Sequence, residues 1–114
     1  SVVKVENQLS TVRHVNFSIG KSTISADQMP NVAAVASYLK NHPKSKEVIK
    51  GYASKDGPEE VNNRLANQRA ESVKNTLIKK YGIASDRIEA SGQGIGEMFD
   101  EESWNRVAIC TVDE

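Results

Sequence analysis

Apolar positions recur along this chain at two intervals, and the switches between them mark out its elements. Val12 to Phe17 (Val-Arg-His-Val-Asn-Phe) alternates loosely and predicts a strand, which Gly20 breaks. Ser25-Ala26-Asp27-Gln28 fits a capping box, with Ser25 bonding forward and Gln28 reaching back. Behind it Met29, Val32, Ala33, Ala36 and Leu39 recur at helical spacing, with Pro30 blurring the exact start. Asn41-His42-Pro43 ends that helix, because proline disfavours helical geometry in the residue before it. Glu47 to Tyr52 reads as a short strand, and Ala53 to Gly57 as a loop. Asp56-Gly57-Pro58-Glu59 opens a second helix, with Pro58 in the first turn where a missing N–H costs little. That helix is expected to reach Tyr81, with Gly82 as its stop. Asp86 to Ser91 predicts a strand, Gly92 to Gly96 a glycine-rich loop, Glu97 to Ser103 a polar loop, and Arg106 to Val112 a last strand.

The order strand, helix, strand, helix, strand, loop, strand predicts an α+β fold. Two amphipathic helices packed on one face of a four-stranded mixed sheet would bury both apolar stripes. No internal repeat or low-complexity linker interrupts the chain. Residues 1–114 therefore read as one domain with its core between about 12 and 112.

The second helix carries an anomaly. At about 100° per residue, Val61, Leu65, Ala66, Val73 and Leu77 share one face. Arg64, Asn67, Gln68, Glu71, Lys74 and Asn75 share the opposite, solvated one. Asn62 and Arg69 fall on the apolar side. A guanidinium cannot shed its charge and is costly to bury unpaired. Arg69 must meet a carboxylate, meet backbone carbonyls, or open onto a pocket. Two readings stay open: a buried bond to a carboxylate or a loop carbonyl, and an anion site in which Arg69 grips a carboxylate with two parallel hydrogen bonds.

Charge narrows the partners. Fifteen basic and fifteen acidic residues balance, which argues against a general nucleic-acid binder and gives no reason to expect adsorption to an anionic membrane surface. No apolar run approaches the ~20 residues of a spanning helix, and no signal peptide opens the chain. The domain is expected to be soluble by itself, with any anchor or export signal in a larger parent protein. The single cysteine, Cys110, sits in Val107-Ala108-Ile109-Cys110 and is expected to be a buried strand thiol.

Catalytic chemistry finds little footing. His14 and His42 lack spaced partners, and no cluster of metal-ligand residues appears. Glu59-Glu60 and Asp100-Glu101-Glu102 read as solvated charge runs. Gly92-Gln93-Gly94-Ile95-Gly96 lacks the Lys-Ser/Thr of a phosphate loop and reads as turn geometry. Asn16-Phe17-Ser18 matches a glycosylation sequon by chance. Trp104 is expected to pack beside the last strand. No enzyme activity and no cofactor are expected.

Gly51-Tyr52-Ala53-Ser54-Lys55-Asp56-Gly57, followed by Asn62, Leu65, Arg69-Ala70 and Val73, resembles the signature of the OmpA-like peptidoglycan-binding family, in a Bacteroides-type variant. Gly82-Ile83, Arg87-Ile88, Gly92-Gln93-Gly94 and Asn105-Arg106-Val107 match its later landmarks. The resemblance spans roughly Val12 to Val112. It implies non-covalent binding of peptidoglycan through the diaminopimelate of a stem peptide, at the periplasmic face of the outer membrane. It also implies a parent protein bearing an outer-membrane barrel or a lipid anchor. The family's helix arginine, which takes the ligand carboxylate, corresponds to Arg69, its asparagine to Asn62 and its late arginine to Arg106. Gly20 and Ala53, the latter at the family's threonine position, complete the candidate ligand-binding set with Ser54 and Asp56.

The sequence departs from the family at one telling position. The loop aspartate that pairs with the ligand ammonium is Ser54 here, and Ala66 stands where the family has a serine. A serine offers no countercharge, so affinity is expected to fall by ~1–3 kcal/mol. Asp56 either replaces that acid or caps the second helix. Two function classes follow: a cell-wall tether, or an assembly scaffold that kept the fold and lost wall affinity.

Overall fold

The computed structural model describes residues 12–55 and 57–113. Its main elements are β1 (Val12–Asn16), α1 (Met29–Asn41), β2 (Lys46–Ala53), α2 (Glu59–Lys79), β3 (Ile88–Ile95), α3 (Glu102–Asn105) and β4 (Val107–Asp113), with a 3₁₀ turn at Ser85–Arg87. The strands form one sheet in the order β1-β4-β2-β3. β4 runs antiparallel to both β1 and β2, whereas β2 and β3 are parallel. A parallel pair needs a long crossover, and α2 supplies it. The α+β fold, with two main helices on a four-stranded mixed sheet, is the one expected.

Alternation builds the sheet's inner face. Glu47, Ile49, Gly51 and Ala53 of β2 turn towards the helices and are buried. Val15 pairs with Ala108, and Ile49 with Cys110, so those side chains share one layer. Val32, Val35, Ala36 and Leu39 of α1, with Ala70, Val73 and Leu77 of α2, close over it. Cys110 is the buried strand thiol expected, and burial beside Glu47 pushes its pKa up.

α2 lies unusually close to the sheet. A Cβ on Gly51 would stand 2.0 Å from the Ala66 carbonyl oxygen and 2.9 Å from the Ala70 nitrogen. Only a residue without a side chain allows that approach. The buried stripe of α2 is accordingly Asn62, Ala66, Arg69, Ala70, Val73 and Leu77. Val61, expected on the apolar face, is 42% exposed. Small residues under a close helix have moved the stripe's centre off the large aliphatics.

Several local expectations are corrected. No capping box forms: Gln28 occupies the N-cap of α1 without a side-chain cap, and its Oε1 accepts instead from the Asn16 N–H across the fold at 3.0 Å. Gly92 to Ile95 is not loop but the second half of β3, and Gly92 pairs with Gly51. The predicted strand start at Asp86-Arg87 is the 3₁₀ turn. Part of the polar segment, Glu102–Asn105, is helical. α2 ends at Lys79, two residues early, and Gly82 then stops it, its N–H bonded to the Ile78 carbonyl at 3.1 Å. Trp104 is 51% exposed rather than packed away, its ring tilted against Phe99 with centroids 6.1 Å apart.

Candidate functional site

The candidate residues gather where β2 ends and α2 begins, beneath the segment that follows β1. Arg69 is fully buried, and every nitrogen of its guanidinium donates to a main-chain carbonyl. Nε bonds Lys21 at 2.9 Å, Nη1 bonds Tyr52 at 3.0 Å, and Nη2 bonds Ser18 at 3.1 Å. The guanidinium also lies over the Phe17 ring, 5.4 Å from its centroid. Three of its five N–H donors are therefore used within the fold. This is the loop-carbonyl arrangement, one of the two readings open from the sequence. It ties the segment after β1 to the end of β2.

A second guanidinium lies close. Arg106, half-buried, donates from Nε to the Phe17 carbonyl at 3.3 Å, while the Phe17 N–H bonds the Arg106 carbonyl at 2.8 Å. Burial, and then the charge of Arg106, lower the Arg69 pKa to about 10. Arg69 remains cationic at neutral pH.

The remaining candidates border this pair. Gly20 lies in the exposed segment that Arg69 clamps, in a left-handed conformation with φ of 69°. Ala53 is buried, and its carbonyl accepts the Gly96 N–H at 2.8 Å. Ser54 follows it, also buried. Asn62, the first buried residue of α2, donates from Nδ2 to the Gly57 carbonyl at 3.3 Å and so braces the loop leading into the helix. The N-cap of α2 is Pro58, in extended geometry and without a side-chain cap. Asp56 itself lies outside the described residues. The Lys55 N–H bonds the Glu102 carboxylate at 3.2 Å, which joins the same loop to α3.

None of the described candidates lines a cleft of about 470 Å³ bordered by the Asn16–Ser18 segment. Asp27, Gln28 and Trp104 face it, and sequence reasoning had assigned them to a cap and to packing. The signal available was an aspartate and a tryptophan without apolar company. Among the described residues no group of three or more His, Cys, Asp or Glu side chains could hold a metal ion. No described helix is long and apolar enough to cross a membrane.

The model of the OmpA family matches residues 16–107. Outer membrane protein 41 of Porphyromonas gingivalis is 34% identical over 109 residues, covering 95% of this chain and 27% of that protein. The peptidoglycan-associated lipoprotein of Legionella pneumophila is 31% identical over 78 residues, covering 68% of this chain and 44% of its own length. Among solved structures, the peptidoglycan-associated lipoprotein from Burkholderia pseudomallei superposes with a TM-score of 0.79 at 26% identity, covering 89% of this chain and 90% of that one. The chain spans only about a quarter of the first of these relatives.

Proposed function

The chain belongs to the OmpA family, and on that premise we propose that it binds peptidoglycan non-covalently and performs no catalysis. The proposed ligand is the diaminopimelate of a stem peptide, whose side chain ends in a carboxylate and an ammonium. The observation that carries the reading is the pair of guanidinium groups, Arg69 and Arg106, at the positions the family motif marks. Each is held by main-chain carbonyls, and together they raise the local positive potential for an incoming carboxylate. Arg106, half-buried, is the reachable member; Arg69 supports it with charge and with its two remaining donors. Ser54, with Asp56 two residues on in the sequence, is the proposed partner of the ammonium, and Asn62, Ala53 and Gly20 shape the surrounding loops. The named relatives, an outer membrane protein and peptidoglycan-associated lipoproteins, support placing the domain on the periplasmic side of an outer membrane. A barrel or lipid anchor elsewhere in the parent protein completes the proposed tether.

A second reading has an observation of its own. Arg69 is 0% exposed and already bonded to three carbonyls, which favours a scaffold domain with weak or lost wall affinity. Titrating the domain with a diaminopimelate-containing stem tripeptide, followed by calorimetry, separates the two. Saturable binding that weakens at least tenfold in Arg106→Ala upholds the diaminopimelate site. Absence of binding at millimolar peptide replaces it with the scaffold.

A further inference from the structure

The cleft lined by Trp104 and Asp27 lies apart from the arginine pair yet shares a wall with it. Ser18 lines the cleft, and the Ser18 carbonyl is one of the three that Arg69 holds. One side is aromatic. Trp104 lines it and is half exposed, its ring tilted at 51° to that of Phe99, with centroids 6.1 Å apart. The other side is polar and fixed. The Asp27 carboxylate is solvent-exposed, and each of its oxygens accepts a bond, Oδ1 from the Ser25 hydroxyl and Oδ2 from the Gln28 amide at 3.5 Å. Those two donors hold its pKa below the usual carboxylate value, so it stays ionised and oriented.

The cleft thus joins an aromatic ring and an oriented acceptor in one lining. An anionic ligand would be repelled by Asp27, and a purely apolar one would strip water from the lone pairs of the carboxylate that Ser25 and Gln28 do not use. A pyranose ring satisfies both walls, with its C–H face on the indole and its equatorial hydroxyls donating to the carboxylate. The cleft volume of about 470 Å³ is ample for one such ring and part of the next.

We propose that the cleft between Trp104 and Asp27 seats a sugar ring of the glycan strand, so that one disaccharide-peptide unit spans this cleft and the arginine pair. The proposal rests on the peptidoglycan reading above. Trp104 stacks on the ring, and Asp27 accepts from its hydroxyls. Asn16 and Gln28 hold the far wall through the bond from the Asn16 N–H to Gln28 Oε1.

Trp104 is the single tryptophan of the chain, so selectively excited tryptophan emission reports the surroundings of this one side chain. The domain is titrated separately with the peptide-free disaccharide of the wall and with a sugar-free stem tripeptide. The expected result is a saturable change in Trp104 emission with the disaccharide, and binding roughly tenfold weaker in Asp27→Ala. Asp27 is exposed, and circular dichroism verifies that the variant keeps the fold. A disaccharide that leaves emission unchanged while the tripeptide binds overturns the sugar cleft and leaves the wall reading standing. Equal disaccharide affinity in Asp27→Ala also overturns it, because the cleft then makes no specific contact. If neither probe binds, the wall reading fails and the sugar cleft falls with it.

Discussion

Arg69 and Glu47 are both buried on the helix-facing side of the same sheet system, yet the fold treats their charges in opposite ways. Arg69 is surrounded by acceptors, with three carbonyls collected from two stretches of chain, the segment after β1 and the end of β2. Glu47 is 1% exposed, and its Oε1 has no hydrogen-bond partner. A guanidinium cannot be neutralised in a protein, so the chain around it must supply partners. A carboxyl can take up a proton, and burial raises the Glu47 pKa to about 8. Where the acid escapes by protonation, the base ties two segments together. The candidate binding end of the domain is therefore also a polar structural joint, and under the proposed function stability and ligand binding would draw on one side chain.

The largest effect should come from removing the joint. Arg69→Ala leaves three inward-facing carbonyls without donors, and denaturant titration should show a loss of about 3–5 kcal/mol. A change below 1 kcal/mol would mean that solvent replaces the guanidinium freely. Next, Gly51→Ala forces a methyl group to within 2.0 Å of the Ala66 carbonyl and pushes α2, with Arg69 on it, off the sheet. A loss of about 2–3 kcal/mol is expected by the same measurement.

Glu47 sharpens the other side of the comparison through pH. Its folded pKa of about 8 stands above the 4.5 of an ordinary glutamate. Below pH 4.5 the carboxyl is neutral in both states and its full contribution is present. Between 4.5 and 8 the unfolded chain releases the proton and the folded one keeps it, so stability falls as pH rises and levels off above 8. Glu47→Gln should flatten that slope and stabilise the domain at pH 8 by an amount on the order of 2 kcal/mol. Thermal melts at pH 5 and pH 8 check this, and an unchanged slope in the variant would assign the dependence to other groups. The smallest effect belongs to Asn62→Ala, which removes one bond to the Gly57 carbonyl and should cost about 1 kcal/mol.

The outline of the fold was legible because its signals are periodic. Alternation found β1 and β2, and helical spacing found α1 and α2 with two polar intruders on the buried side. What sequence could not convey was which backbone atoms meet those intruders. The Ser18, Lys21 and Tyr52 carbonyls carry no residue signature, so Arg69's partners were open to two readings. The apolar face of α2 was read only in part. Ala66 was placed on it, but Ala70, which also faces Gly51, contributes little to a hydrophobic pattern, and Val61, placed on the same face, is exposed. Gly92 to Ile95 read as loop because glycine has low strand propensity. In the fold Gly92 admits Asn67, whose Oδ1 accepts the Gly92 N–H at 2.9 Å. The Ser25 to Gln28 motif misled for a related reason, since Gln28 found a longer-range partner in Asn16 than the helix end it precedes.

The most direct test of the account is co-sedimentation of the domain with purified, protein-free sacculi, beside Arg106→Ala, which leaves the Arg69 joint in place. The account predicts that the domain pellets with the sacculi, is released by excess stem peptide, and is retained several-fold less in the variant. A domain that stays in the supernatant while remaining folded would contradict it.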